Sequence, residues 1–187
     1  VLVVMLSVPV VVNLLSSSQA MNTSFNQLHL VNTYGAFGSI GKARNELIIE
    51  GTYDDTTKED TVWKEYDFKH KPGPVDESLT IIAPYQPRID WQIWFAAMSS
   101  YDREPWLIHY VWKLLHNDEN ALSLIESNPF SDKPPKYVRI LIYRYEFENP
   151  YKSENVWKRE LLGLWMPPVS KETQGLREFV EGNGWER

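Results

Sequence analysis

Imidazole is the commonest general base and metal ligand, so the four histidines, His29, His70, His109 and His116, come first. His109 and His116 fall near one helix face, yet seven residues of helix set their origins ~10 Å apart. A zinc ion with ~2 Å ligand bonds does not easily span that gap, and the H-E-x-x-H pattern does not occur. Glu65, Asp67 and Asp90 could form an acid–base set, but Asp90 reads better as a helix N-cap and Asp67 as an exposed strand residue. Gly35, Gly38 and Gly41-Lys42 resemble a phosphate loop until the spacing is checked. Ala36 then stands where the first glycine is required, and Ala43 where the hydroxyl is. Ser39 is no nucleophile elbow either, because Phe37 replaces the first glycine of that turn. Cysteine is absent, which excludes disulfides, thiol chemistry and cysteine-bound zinc within these residues. The sequence therefore nominates no catalytic residue, no cofactor and no metal.

A recognition surface is the remaining chemistry. Tryptophan and arginine are enriched at binding hot spots, and the chain carries eight Trp in 187 residues. Trp63, Trp106, Trp157, Arg88, Arg139 and Arg144 sit on or beside expected elements. The competing explanation is structural, with rings packed in the core and arginines paired with carboxylates. Trp106, Trp112 and Trp157 are the candidate partner-binding residues, each expected to be partly exposed. Trp106 precedes a helix's core stripe, Trp112 lies off that stripe, and Trp157 starts a possible edge strand. The net charge of −6 and pI near 5.3 argue against a nucleic-acid partner, which usually requires a basic patch.

The elements that would position these residues are organised around the stretch from Ala83 to Met98. Pro84 and Pro87 forbid helix in its first half. Asp90 then starts a helix whose Trp91, Trp94, Phe95 and Met98 recur at i, i+3, i+4 and i+7, which predicts an aromatic stripe buried against strands. Residues 46–53 and 62–69 read as an antiparallel hairpin, the latter with Val62, Tyr66 and Phe68 on one face. Pro105 at a first helical position opens a second helix with the stripe Leu107, Tyr110, Val111, Leu114 and Leu115. Ala121 to Ser127 reads as a third, short helix. Tyr137 to Phe147 is a central strand apolar on both faces, and residues 156–165 pair with it until Pro167-Pro168 ends them. Lys171 to Glu181 reads as a polar terminal helix. These elements make an α+β fold, an antiparallel sheet with three or four helices packed on it.

The chain opens differently. Residues 1–41 contain no Asp, Glu, Lys or Arg, and residues 1–15 are almost wholly apolar. They read either as the end of a transmembrane helix or, from Met5, as a weak signal peptide with Ser18-Gln19-Ala20 at its cleavage site. Residues 16–29 look like a polar linker, and residues 30–187 form the folded domain. Asn22-Thr23-Ser24 is a glycosylation sequon, so Asn22 is a candidate glycan acceptor on a lumenal or extracellular body.

Several motifs occur in a fixed order. Asn32-Thr33-Tyr34-Gly35-Ala36-Phe37, Glu50-Gly51-Thr52-Tyr53 and Lys71-Pro72-Gly73 come first. The run from Pro84 to Ala97, Asn128-Pro129-Phe130 and the run from Pro134 to Arg139 come next. Tyr143-Arg144-Tyr145 and Trp157-Lys158-Arg159-Glu160 close the set. Together they resemble the C-terminal domain of the lipase maturation factors, on the type 1 branch, over residues 28–185. The resemblance implies a multipass protein of the endoplasmic reticulum membrane with this domain in the lumen. It also implies chaperone-like help in the folding, assembly and secretion of dimeric lipases of the lipoprotein lipase type, with no enzymatic activity of its own. Residues 1–15 would then be the tail of the last membrane span. Any link of the family to redox balance would have to reside elsewhere, since this chain lacks cysteine. An unrecognised lumenal hydrolase and an aromatic-rich carbohydrate-binding module are the alternatives; the first needs a cleft of titratable groups, the second exposed coplanar Trp rings.

Overall fold

The computed structural model describes residues 1–35, 43–55, 58, 60–78, 80–82, 84–149, 151 and 153–185. The glycine-rich run that mimics a phosphate loop lies mostly outside them. Two compact units divide the chain, Val1–Lys42 and Ala43–Arg187.

In the first unit, helix α1 (Leu2–Leu14) has 13 residues and buries none of them. Among the described residues, no helix is long and apolar enough to cross a membrane. The stretch expected to be a linker contributes strand β1 (Thr23–Ser24), which pairs antiparallel with β2 (Asn32–Thr33). Asn22 precedes β1 with φ of 51°, and its side-chain amide exchanges two hydrogen bonds with the backbone of Gly35. Asparagine tolerates this left-handed backbone better than most residues.

The second unit is built on a four-stranded antiparallel sheet. Strands β3 (Arg44–Thr52), β4 (Lys64–Glu65), β7 (Tyr137–Phe147) and β8 (Trp157–Val169) lie in the order β4-β3-β7-β8. Alternation along β3 sends Leu47 and Ile49 to the helical layer and Glu46, Ile48 and Glu50 to the other face. β7 is central, as its doubly apolar sequence predicts, with β3 and β8 on either side. The expected hairpin of 46–53 with 62–69 is short: among the described residues Glu50 pairs with Glu65 and Gly51 with Lys64, and the Tyr66 N–H donates to the Ile49 carbonyl at 2.9 Å. Beyond it the chain leaves the sheet, and β5 (Asp67–Phe68) pairs with β6 (Ile125–Ser127). Val62, expected beside Tyr66 and Phe68, is exposed while those two are buried. Gly51 has a packing reason to be glycine: a Cβ there would meet the Phe130 ring at 2.7 Å.

Helix α2 (Arg88–Ala96) corrects the expectation on which the sequence reading turned. Its buried face is Ile89, Asp90, Ile93 and Ala96, while Trp91 is 43% exposed, Met98 63% exposed, and Trp94 and Phe95 half-buried. Two stripes of helical period coexist in this segment. The one with small residues wins because Ala96 and Ala97 fit close to the packed interior, where bulky rings would hold the helix away.

Helix α3 (Pro105–Leu115) buries the whole predicted stripe, with Pro105 in its first turn. The third helix is shorter than expected. Asp118 caps α4 (Glu119–Leu122) by accepting from the N–H groups of Asn120 and Ala121, and the chain then becomes β6. Pairing with β5 and burial of Ile125 outweigh the weak helical preference of 123–127. Strand β8 runs through Pro167 and Pro168 rather than stopping there. It is the outer strand, so the missing N–H groups need not break its ladder. Helix α5 (Gln174–Gly182) is amphipathic rather than simply polar, burying Leu176 and Val180 and packing on α3. The unit is α+β with α2, α3 and α5 supplying the second layer.

Candidate functional site

The sheet face away from α2 and α3 is held by charged pairs, and these decide what chemistry it can do. Glu46 is fully buried; its Oε1 accepts from Arg44 Nε at 2.8 Å, and its Oε2 lies 3.8 Å from Lys71 Nζ. Lys71 is itself buried and donates to the carbonyl of Pro72 at 2.8 Å. Burial holds its ammonium below the ordinary lysine value, against the opposing pull of Glu46 and Asp90. Asp90 is not the N-cap; that position is Pro87. From the first turn of α2 its Oδ1 instead accepts the backbone N–H groups of His70 and Lys71, at 2.8 and 3.0 Å. The carboxylate thus ties the Lys71-Pro72-Gly73 loop to the helix, at the end where the helix dipole favours negative charge.

A second network continues outward. Arg159 bonds both oxygens of Glu65, at 2.6 and 3.0 Å, and donates to Tyr145 Oη at 3.3 Å. Tyr145 in turn donates to the Gly73 carbonyl at 2.6 Å. Arg139 donates to Glu50 at 2.7 Å and lies over the Trp63 ring at 4.0 Å. Burial lifts the Glu50 carboxyl above the usual range, partly offset by Arg139.

The three carboxylates of the imagined acid–base set are therefore in separate places: Glu65 on Arg159, Asp90 on the loop backbone, and Asp67 accepting from Ser127 Oγ at 2.9 Å. His109 stacks on Trp185 at 4.8 Å, and His116 packs on Trp112 at 4.3 Å. Among the described residues, no group of three or more His, Asp or Glu could hold a metal ion.

The three candidate tryptophans part company. Trp106 is half-buried, donates to Glu104 Oε2 at 2.8 Å, and lines an open groove of about 530 Å³ with Tyr85, Ile89 and Leu124. Trp112 is half-buried against the core and His116. Trp157 contradicts the expected exposure. It is 3% exposed, stacked on Phe147 at 4.5 Å and edge-on to Tyr145. It is covered because the segment at Val75 lies against the start of β8, its carbonyl accepting the N–H groups of Val156 and Trp157 at 3.0 and 2.9 Å. Val75 packs on the cluster of Ile48, Tyr145 and Trp157.

The exposed apolar surface lies further along the same strand. Leu161 and Leu164 are each 54% exposed and Leu162 is 41% exposed. Leu161 pairs with Tyr143 and Leu164 with Leu141, two residues apart on β7, so both leucines lie on the face away from the helices. β8 is the outermost strand of its sheet, which leaves its outward backbone groups without a strand neighbour among the described residues. Sequence reasoning overlooked this patch. The signal was Leu161-Leu162-Gly163-Leu164, a run apolar on both faces of a strand that also contains two prolines.

The comparisons with known proteins follow the same course. Residues 30–167 match the family model described as the lipase maturation factor C-terminal domain. Lipase maturation factor 1 of Homo sapiens is 48% identical over 99% of this chain, and that of Bos taurus 46% identical over 99%. Lipase maturation factor 2 of Gallus gallus is 34% identical over 80% of the chain. The chain spans 33%, 34% and 22% of the length of these three relatives. No solved structure matches it. The ordered motifs and the match to residues 30–167 lead to one assignment: the chain belongs to the lipase maturation factor family and carries its C-terminal domain.

Proposed function

We propose that this domain serves lipase maturation by holding an incompletely folded lipase along the β8 edge, without making or breaking bonds. The observation that carries the reading is the exposed apolar run Leu161, Leu162 and Leu164 on an outermost strand. Such an edge offers main-chain hydrogen bonds to an extended segment, while the leucines cover apolar side chains that a native lipase would bury. Secreted dimeric lipases of the lipoprotein lipase type are the proposed clients, met in the lumen of the endoplasmic reticulum beside its membrane. The relatives' name, lipase maturation factor, supports the client class. The dispersal of Glu65, Asp67 and Asp90 onto structural partners supports a binding role over a hydrolytic one.

The proposal is tested with the purified 187-residue chain and a lipase diluted from denaturant. The chain is expected to slow lipase aggregation and to co-precipitate the unfolded form in preference to the native one. Equal capture of native and unfolded lipase, or ester hydrolysis by the chain at enzyme-like rates, would refute it.

A further inference from the structure

A cavity of about 320 Å³ opens where the Lys71 loop meets the first turns of α2. Its size falls at the lower end of the ~300–1,000 Å³ range of small-molecule pockets, room for about one six-membered ring. Trp91 presents one large apolar ring, 43% exposed, on one wall. Around it stand Ser78, Thr80 and Gln86, all exposed and uncharged, with Glu77 and Arg44. Together they supply donors and acceptors in several directions.

Charge narrows the ligand. Arg44 is held by Glu46 at 2.8 Å and its guanidinium lies 5.9 Å from the centre of the Trp157 ring, so the position a cationic ligand would take against that ring is already filled. Glu77 and Asp90 on the lining are offset by Arg44 and Lys71, so the pocket favours neither an anion nor a cation. A neutral ligand with one apolar face and hydroxyls around its rim suits what is left. We propose that this pocket binds one pyranose residue of a neutral glycan, its C–H face on Trp91 and its hydroxyls shared among Gln86, Thr80, Ser78 and Glu77. This differs from a flat platform of coplanar Trp rings, because a single exposed ring does the stacking.

The test uses the full chain on an array of neutral glycans, followed by NMR titration with the methyl glycosides of glucose, mannose and N-acetylglucosamine. At least one glycoside is expected to bind, and Trp91→Ala and Gln86→Ala are each expected to weaken it about tenfold, the loss typical of one well-placed contact. Both variants should keep the melting curve of the parent, since both side chains are exposed. If Trp91→Ala fails to fold, Gln86→Ala and Thr80→Ala decide the matter alone. Binding to none of the glycans overturns the proposal. So does glycan binding that survives the substitutions, and so does choline or inorganic phosphate binding that the same substitutions abolish.

Discussion

Replacing Asp90 tests the internal logic of the domain, because one buried carboxylate joins its loop and helix. Asp90 is 1% exposed and accepts two backbone N–H groups at 2.8 and 3.0 Å. Hydrogen bonds to a charged group contribute about 1.5–3 kcal/mol each. Asp90→Ala removes both, strands the N–H of buried Lys71, and takes away a negative neighbour of its ammonium. Against this stands relief from desolvating a carboxylate, which cancels part of the sum. The net loss is about 3–5 kcal/mol, a large share of a domain's typical ~5–15 kcal/mol. Asp90→Asn keeps an acceptor at the Oδ1 position and should cost about half as much. Urea unfolding followed by tryptophan fluorescence measures both. A loss below about 1 kcal/mol for Asp90→Ala, or equal losses for Ala and Asn, would refute the role assigned to this side chain.

Further expectations concern packing, pH and modification. Ile93→Ala should cost about 2–5 kcal/mol and Trp91→Ala less than about 1 kcal/mol in the same assay; the reverse order would restore the aromatic stripe as the buried face. Burial, partly opposed by Arg159, raises the Tyr145 hydroxyl to about 12 from its ordinary 10.0. A raised folded-state value adds stability that is complete below pH 10 and lost as pH climbs through 12, so the parent should fall towards Tyr145→Phe over that interval. Parallel stability curves from pH 9 to 12 would contradict this. Asn22 should carry a glycan when the protein is made in cells, and a glycosidase-sensitive mobility shift should disappear in Asn22→Gln. Asn22 is exposed, and a glycosylated amide keeps its Oδ1 and one Nδ2–H, so the two bonds to Gly35 are compatible with the glycan.

The sequence made β7 and α3 legible because each carries a single dominant period. Tyr137–Phe147 is apolar on both faces and has length for only one role, while the α3 stripe has no rival on its helix. Helix α2 misleads for the opposite reason. Its aromatic and aliphatic stripes share one period, and the choice depends on how closely Ala96 can approach the core, a distance that periodicity does not encode. The segment 123–127 reads wrongly because its partner β5 lies about 60 residues away. Asp90 was visible as a helix-start acid, but its true partners, the backbone of His70 and Lys71, come from a loop that only the tertiary fold brings near. Trp157 and Leu161 show the same limit within one strand. Both lie on β8, and the segment at Val75, distant in sequence, covers the first while the second is left exposed.

The central claim, that the β8 edge holds immature lipase, meets its most direct test in Leu161→Lys/Leu164→Lys. Each leucine is 54% exposed, so covering what remains would contribute about 1–1.5 kcal/mol apiece to binding. Together they give about 2–3 kcal/mol, or roughly 30- to 150-fold in affinity. Lysine stems can still lie along the sheet while their charges oppose strand addition, so the fold should be retained. The measurement is secreted lipase activity from cells lacking their own maturation factor, supplied with the parent or the doubly substituted full protein. The variant is expected to accumulate and melt like the parent while secreted activity drops to that of unsupplied cells. Secretion equal to the parent's, with the variant folded and present, would contradict it.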